Sequence, residues 1–496
     1  MLESAGRLEV NEMNHYANWR VRARIAEFLG AESNGSKPTA VYFAKADEEI
    51  HVPISPRALS ELAPSLQSNL EIFRSLWDRQ SLLVDLDIEY VNFDDATEPY
   101  IEFERTFALQ EPLRRGIQKA LLAYGITPLH LLSGRGHHFI WRIGRDSACF
   151  TRLAQLGRLP TSLQARYGHF RAPCGETINP ALGKAFIGLG QVVEYFAAEM
   201  KRRCAPESKI PIELSAIEVG PGEKGRELIS FDISQYGDPL PARFIRAAYS
   251  RYLKILQQRQ AIKSEAISRL ASLFVIPIFE MDMSEAIRVM HDPEAVVELA
   301  TYAPVKIPDC AIGTENLLNS YLSSELALFH CDFYAKDPEP PERWPETYNR
   351  IDTTQLPSCM QLVLQYPNDL LLRPSYLRRM VITLMSLGWH PRHISGLIRS
   401  RFEHDFGWGN YWEDYDPTTR AEFFTRVFAG LFVTHYDDLI DFNCCSAQEQ
   451  KLCLQTNCQY NLERFKTSLL NRRAYGRLAR RPFHRLFLPG EHSDLC

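Results

Sequence analysis

The chain is 496 residues long, with 45% hydrophobic and 24% charged side chains and a formal net charge of −5. This composition excludes global disorder, collagen-like repeats and a bundle of membrane-spanning helices, because no apolar run approaches the roughly 18 residues that a bilayer requires. The N-terminus mixes acids and bases and lacks the apolar core of a secretory signal, which predicts a protein of the reducing cytoplasm with no membrane partner.

Predicted helices and strands alternate over the first 260 residues. A stripe of Trp19, Ile25 and Phe28 marks the first helix, and an apolar residue at every fourth position from Leu109 to Leu121 marks another. Alternation of this kind is typical of an α/β or α+β domain. The predicted helices cover 15–29, 70–77, 109–121 and 191–203, and the predicted strands cover 40–44, 81–90, 127–132, 137–143 and 227–233.

Strand signals fade after residue 260. Helical segments are predicted over 261–300 and 314–330, and the five prolines of 335–357 indicate a linker between domains. From Ser358 onward the pattern is helical, and the segment 416–432 opens with helix-capping residues.

Two acidic residues interrupt one of the apolar strands. Asp85 and Asp87 alternate with Val84, Leu86 and Ile88. On a strand, both carboxylates therefore point to one face, where two acids are able to hold a divalent cation. Charge in an apolar strand is costly unless it is paired or metal-bound. A DxD pattern also occurs by chance and in glycosyltransferases, so the pair by itself leaves these alternatives open.

A glycine turn and a third acid follow. The turn SGRGHH over 133–138 places backbone N–H groups, an arginine and imidazoles where they suit a phosphate, although a plain glycine hairpin has the same pattern. Asp232 again interrupts an apolar strand. Three carboxylates from separate strands beside an anion-binding turn match two-metal nucleotidyl transfer, in which the cations lie about 4 Å apart.

In this order, the blocks DLD (85–87), SGRGHH (133–138) and FD (231–232) resemble the three motifs of the archaeo-eukaryotic primase superfamily, and the segment 246–254 resembles its basic segment. The resemblance implies an α+β catalytic domain with an RRM-like β-sheet core. It implies that Asp85, Asp87 and Asp232 bind Mg²⁺ or Mn²⁺. It also implies a nucleotide-binding set made of Ser133, Gly134, Arg135, Gly136, His138, Arg246, Ser250 and Lys254. Tyr252 stands where many members have histidine.

Eleven cysteines are present, and four of them lie between residues 444 and 458. Cys359 followed by Cys445, Cys453 and Cys458 resembles the C-terminal domain of the primase large subunit, whose four cysteines hold a 4Fe-4S cluster. Cys444 is possible in place of Cys445. The spacing lacks the short CxxC pairs of a zinc ribbon, which favours a cluster, but zinc and a core of buried thiols remain alternatives.

Two further features point to nucleic acid. Eight basic residues and no acid lie between Arg464 and Arg485, while the remainder has 48 basic against 61 acidic residues. Such a strip suits a polyanion, although a solvated helix has the same composition. Basic residues interleaved with aromatic residues are able to bind single-stranded nucleic acid, and part of these aromatic residues belong to the core. The whole set is Trp389, His390, Arg392, His393, Arg399, Arg401, Trp408, Tyr411 and Trp412.

The sequence thus predicts an α+β primase-polymerase domain over 10–260, a helical connector with a proline-rich linker over 261–345, an all-α iron-sulfur domain over 346–465 and a basic tail over 466–496. The predicted activity is template-directed synthesis or extension of primers from nucleoside triphosphates on single-stranded DNA. The alternatives are a non-catalytic replication initiator subunit that binds nucleic acid and a DxD glycosyltransferase. The preference for ribo- or deoxynucleotides stays open, as do replication, repair and CRISPR-associated partners.

Overall fold

The structure is a computed structural model, and every structural statement below concerns the residues that it describes. These are 15–32, 37–46, 54–217, 219, 223–254, 273–367, 371, 373–403, 416–437, 439, 442–453 and 460–474.

The strands of these residues are β1 (Phe43–Ala46), β2 (Ser55–Arg57), β3 (Glu71–Ser75), β4 (Ser81–Asn92), β5 (Leu129–Ser133), β6 (Gly136–Gly144), β7 (Ile212–Glu213), β8 (Glu227–Asp232), β9 (Phe244–Arg246), β10 (Arg251–Tyr252), β11 (Leu273–Phe274) and β12 (Ile276–Pro277).

The α-helices are α1 (Trp19–Phe28), α2 (Leu62–Gln67), α3 (Glu98–Ile101), α4 (Phe103–Tyr124), α5 (Ala148–Leu156), α6 (Thr161–His169), α7 (Pro180–Cys204), α8 (Met283–Met290), α9 (Pro293–Tyr302), α10 (Ala311–Leu322), α11 (Glu325–Tyr334), α12 (Ser358–Gln365), α13 (Pro374–Ser386), α14 (Pro391–Glu403), α15 (Pro417–Val433), α16 (Cys444–Glu449) and α17 (Leu462–Ala474).

The larger sheet has six strands in the order β12-β5-β6-β4-β8-β7, and only β7 and β8 pair in parallel. Helices α4 and α7 cover one of its faces. Phe196 of α7 lies edge-on to Phe231 of β8, and Phe107 of α4 packs on His137 of β6. Because side chains alternate along a strand, Asp85 and Asp87 of β4, His138 of β6 and Asp232 of β8 lie on the opposite face. The molecule is therefore mixed α+β, as predicted.

Local sequence sets the ends of the predicted helices. Gly125 closes α4 with φ of 81°, a left-handed conformation that glycine adopts without strain. The side chain of Asn179 caps α7 by accepting the N–H of Ala181 at 2.8 Å. Asp416 caps α15 in the same way, accepting the N–H of Thr419 at 2.7 Å. The helices predicted from residues 109 and 416 are confirmed.

The helix predicted over 70–77 is wrong. Glu71–Ser75 form β3, a strand that pairs antiparallel with β1 and β9 in a sheet of order β2-β1-β3-β9. Every residue of β3 is buried, charged ones included, so the segment lacks the polar alternation by which a strand is recognised. Pairing on both sides decided its conformation.

The first helix is confirmed, but one of its predicted core residues is wrong. Val21, Ile25 and Phe28, spaced at i, i+4 and i+7, form the buried face of α1. Trp19 lies six residues before Ile25, which places it on another side of the helix, and 62% of its surface is exposed.

The region predicted as a purely helical connector also supplies two strands. β12 extends the six-stranded sheet beside β5, and β11 pairs with β10. Thr314 of α10 accepts the indole N–H of Trp141 at 2.9 Å. The proline-rich stretch packs as well, because Tyr348 is fully buried and its hydroxyl hydrogen-bonds His393 at 3.1 Å.

The helices beyond residue 346 pack on the first region through α7. Glu194 of α7 is buried between an arginine and a histidine. Its carboxylate accepts from Arg426 of α15 and from His330 of α11, both at 2.9 Å. Arg420 of α15 donates to Asp238 at 3.0 Å. Among the described residues, no helix is long and apolar enough to span a bilayer.

Candidate active site

The pairing of the central strand β4 with its neighbour β8 brings the three predicted catalytic acids together. In the antiparallel register, Asp87 lies directly opposite Asp232 of β8 on one side and opposite His138 of β6 on the other. Asp85 lies two residues before Asp87 and so shares its face. Glu89 lies two residues after it. The motif residues of three strands therefore form one polar stripe across the sheet.

His138 joins the carboxylates. Its Nδ1 hydrogen-bonds Oδ1 of Asp85 at 3.1 Å, and its Nε2 lies 3.8 Å from Oδ1 of Asp87. Gln235 and Tyr236, which follow β8 in the chain, donate hydrogen bonds to the backbone carbonyl of Asp85 at 2.7 and 3.0 Å. Hydrogen bonds therefore hold both the side chain and the main chain of Asp85.

Burial and crowding shift the pKa values of this stripe. Burial and the charges of Glu89, Asp85 and Asp232 raise the pKa of Asp87 to about 7, against the opposing effect of His138. Burial disfavours a charged imidazole, but the two aspartates outweigh it and raise the pKa of His138 to about 9. Near neutral pH the site therefore holds a cationic histidine among acids, one of which readily gains or loses a proton.

Sequence reasoning missed Glu89. Its carboxylate takes a bidentate ion pair from the guanidinium of Arg135, in which both N–O distances are 2.6 Å. Burial opposes ionisation of Glu89, but Arg135 and Lys254 hold its pKa below the usual range. The signal was present in the sequence, because Glu89 continues the two-residue alternation of Asp85 and Asp87 along the same strand.

The other predicted cations are Arg246, at the end of β9 in the four-stranded sheet, and Lys254, which follows β10. Nε of Arg246 lies 2.5 Å from Oε1 of Glu71, and its guanidinium stacks 4.6 Å from the ring centre of Tyr252. The charge of Arg135, together with burial, lowers the pKa of Lys254 to about 8. The charges of Arg135 and Arg246 both act on Lys254, so the three cations lie near one another.

Two of the predicted nucleotide-binding residues, Ser133 and Ser250, hydrogen-bond the main chain. The hydroxyl of Ser133 donates to the carbonyl of Gly136 at 3.4 Å and closes the hairpin turn. The hydroxyl of Ser250, which is fully buried, donates to the carbonyl of Arg251 at 3.2 Å.

The glycines of the turn are required for packing. A Cβ at Gly136 would lie 2.0 Å from the carbonyl oxygen of Ile88, and one at Gly134 would lie 2.5 Å from the ring of Tyr252. Both positions therefore exclude larger residues, for reasons that need no phosphate.

The donor chemistry of the stripe suits Mg²⁺ or Mn²⁺, since carboxylate oxygens are the ligands these ions prefer. In the described part of the chain, however, no three histidine, cysteine or acidic side chains stand together as a preformed metal site. His138, rather than a third carboxylate, lies against Asp85 and Asp87.

A second feature lies among the C-terminal helices. Cys359 at the start of α12, Cys444 at the start of α16 and Cys453 face the same space. The N–H of Leu462 donates to Sγ of Cys444 at 3.4 Å. This cysteine cavity has a volume of about 170 Å³ and is lined by Pro357, Ser358, Cys359, Cys444, Ala447, Gln448, Cys453, Tyr460, Asn461 and Leu462.

The cysteine cavity favours Cys444 over Cys445. Cys445 is exposed, does not line the cavity and donates its thiol to Glu449 at 3.3 Å. Consecutive residues at the start of a helix point about 100° apart, so only one of the two is able to face the cavity. Cys458 lies outside the described residues.

Part of the predicted nucleic-acid-binding set lies in the core, as the sequence analysis allows. Trp389, His390 and Arg392 are buried, and Arg392 pairs with Glu422 at 2.7 Å, so these three belong to the core. Trp408, Tyr411 and Trp412 lie outside the described residues, as does the basic tail from residue 475.

Comparisons of the chain with protein-family models, with curated proteins and with solved structures find no match.

Proposed function

We propose that the chain is a template-directed nucleotidyltransferase of the primase-polymerase kind, which makes or extends primers from nucleoside triphosphates on single-stranded DNA. The register of β4 carries this proposal, because it sets Asp87 opposite both Asp232 and His138. The mostly antiparallel sheet, with helices on one face, supports a primase-like catalytic fold.

Each part of the site has a task in this reaction. The 3′-oxygen of the primer attacks the α-phosphorus of the incoming nucleotide, the bond to pyrophosphate breaks, and the hydroxyl proton is lost. Divalent cations, when bound, would activate that hydroxyl and neutralise charge on the leaving group. Asp85, Asp87 and Asp232 would hold them. Arg135 and Lys254 would attract and orient the triphosphate, and Arg246 would add positive charge.

The three neighbouring cations Arg135, Arg246 and Lys254 support a triphosphate as the ligand of the site. Arg135 is matched by Glu89, and Arg246 is matched by Glu71. An incoming triphosphate brings several negative charges and would exchange for these acids at the same cations. A glycosyltransferase, in contrast, needs to bind only a nucleotide diphosphate sugar.

We further propose that the cysteine cavity holds a 4Fe-4S cluster, with Cys359, Cys444 and Cys453 as ligands and Cys458 as the fourth. The N–H of Leu462 directed at Sγ of Cys444 supports this, since such hydrogen bonds stabilise cluster thiolates. A brown protein with about four irons per chain is expected. Stoichiometric zinc without iron would contradict the cluster.

The test of the activity is a synthesis assay on a single-stranded circle, with labelled ribo- or deoxynucleotides and Mg²⁺ or Mn²⁺. Asp85→Asn and Asp232→Asn keep the size of the side chains and should remove product. Asp309→Asn, at a half-exposed acid away from the stripe, is the matched control and should retain activity. Absence of product with and without a primer, or full activity of Asp85→Asn, would refute the proposal.

The non-catalytic initiator subunit remains the second candidate, because acids of the stripe already pair within the protein, Asp85 with His138 and Glu89 with Arg135. Manganese titration separates the two. Tight binding that is lost in Asp87→Asn supports an enzyme, whereas no binding together with retained affinity for DNA supports the initiator. Hydrolysis of a nucleotide sugar would instead favour the glycosyltransferase.

A further inference from the structure

Helix α1 exposes an aromatic ring and two arginines on one surface. Trp19 is 62% exposed, and the guanidinium of Arg20 lies over its ring, 4.9 Å from the centre. Arg22 is also exposed. We call Trp19, Arg20 and Arg22 the tryptophan platform. A single exposed apolar residue is ordinary in any protein, but a ring covered by a cation beside a second cation is a more specific surface.

The two arginines of the platform have no structural task in the part of the chain that is described. Neither guanidinium lies within ion-pair distance of an acid there. Arg24 in the same helix shows the contrast, because it pairs with Glu27 at 2.7 Å and donates to the carbonyl of Ala300 at 3.0 Å. On a chain whose net charge is −5, the platform is a local cationic surface.

The platform is fixed to the candidate active site by the residues just before it. The imidazole of His15 hydrogen-bonds the carbonyl of Tyr249 at 2.9 Å, and the hydroxyl of Tyr16 accepts the N–H of Arg251 at 2.8 Å. The next residue, Tyr252, is the ring on which Arg246 stacks. The residues just before the platform are therefore hydrogen-bonded to the segment 249–252, whose Tyr252 contacts Arg246 of the proposed nucleotide site.

We infer that the tryptophan platform binds single-stranded nucleic acid, with one base stacked on Trp19 and backbone phosphates on Arg20 and Arg22. The chemistry selects this partner. A ring stacks on any unpaired base, whereas the bases of a duplex are already stacked and out of reach, and the cations suit phosphates. The inference rests on the proposed function for the role of the strand as template or primer, but binding itself is measurable without catalysis.

The experiment measures binding of full-length protein to a dye-labelled oligothymidylate of about 16 nucleotides by fluorescence anisotropy. It is run in EDTA without nucleotides, so no catalytic metal is involved. Trp19→Ala should weaken binding by about tenfold, as loss of one stacked base predicts, and Trp19→Phe should restore most of the affinity. The exposed Tyr366 provides the matched aromatic control, and Tyr366→Ala should stay within twofold of the unchanged protein.

Salt dependence tests the arginines separately. The double variant Arg20→Gln/Arg22→Gln should lower the slope of log affinity against log salt by about 1.4, since each contact to a single strand contributes about 0.7. The exposed Arg288 supplies the control, and Arg288→Gln should leave the slope unchanged. All these side chains lie at the surface, so equal melting temperatures are expected and verify the fold.

Three outcomes would overturn the inference: an affinity of Trp19→Ala within twofold of the unchanged protein, tighter binding of duplex than of single strands, or no binding of oligothymidylate at all. Failure of this inference and failure of the proposed function are distinguishable. If Trp19→Ala keeps both synthesis and unchanged affinity, the inference about the platform is wrong and the proposed function stands. If binding depends on the platform but no product forms, the proposed function is wrong and the inference stands.

Discussion

The strand-borne site around Asp87 and the cysteine cavity balance their polar groups in different ways. On the sheet, charges compensate one another within the protein: His138 lies between two aspartates, and Arg135 pairs with Glu89. The cavity instead brings thiols together with a backbone N–H directed at Cys444. We therefore expect the first site to fold without its ligand and the cysteine cavity to be stabilised by its ligand. Losing the ligand should cost activity in the first region and stability in the second.

The largest effect is expected at the sheet. Asp232→Asn removes a charge that the proposed metal ions require, which is worth several kcal/mol in the transition state, so the synthesis rate should fall by at least about 10³-fold. Its melting temperature should stay close to that of the unchanged protein, because neutralisation relieves repulsion with Asp87. A quantitative primer-extension assay and calorimetry measure the two properties. A large loss of stability would break the comparison.

The junction between the two regions should be nearly as sensitive. Arg426→Met leaves Glu194 buried without one of its two partners, and breaking such a pair costs about 3–5 kcal/mol. Arg115→Met removes an exposed pair with Glu111 and should cost at most about 1 kcal/mol. Urea unfolding of both variants gives the two values. Similar costs would show that the buried junction does not hold the regions together.

The cysteine cavity makes a paired prediction. Cys444→Ser should lose most of the bound iron and lower the stability of the C-terminal helices, because a ligand of the proposed cluster is gone. Cys445→Ser removes an exposed thiol and should keep both the iron and the fold. Iron analysis and visible absorption read out the pair. The reverse pattern would assign the ligand to Cys445 instead.

The ion pair of Arg135 separates structure from binding. Arg135→Gln leaves the carboxylate of Glu89 without its charge partner, which should cost about 2 kcal/mol of stability and raise the KM for the nucleotide by about tenfold. Adding Glu89→Gln should recover the stability but not the KM. Unfolding curves and steady-state kinetics follow the two effects. Recovery of both would make the arginine a purely structural residue.

The smallest effect concerns pH. Because burial raises the pKa of Asp87 to about 7, binding of a cation has to displace a proton below that pH, and affinity should fall by up to about tenfold per pH unit. The thermal shift caused by Mn²⁺ should accordingly be larger at pH 8 than at pH 6. In Asp87→Asn the difference between the two pH values should vanish. A shift that is larger at pH 6 would contradict the role of this carboxylate.

Local sequence was a good guide wherever a regular geometry carried it into space. The alternation of Asp85 and Asp87 along one strand placed both on one face, and the same period extends to Glu89, which the sequence analysis overlooked. The capping residues at 416 marked the start of α15 correctly, whereas α7 begins at residue 180 and not at the predicted residue 191. Where burial was complete, as in β3, the polar pattern disappeared and a strand was taken for a helix.

The sequence by itself singled out the residues of the two proposed sites: three acids in apolar strands, a glycine turn with an arginine, and a group of cysteines near the end. Only the tertiary structure decided how they meet, because strand pairing joins Asp87 to Asp232, 145 positions later in the chain, and no local sequence pattern specifies that register. It also directed Cys444 rather than Cys445 toward the cysteine cavity and turned Trp19 outward, since both outcomes depend on which side of a helix packs against its neighbours.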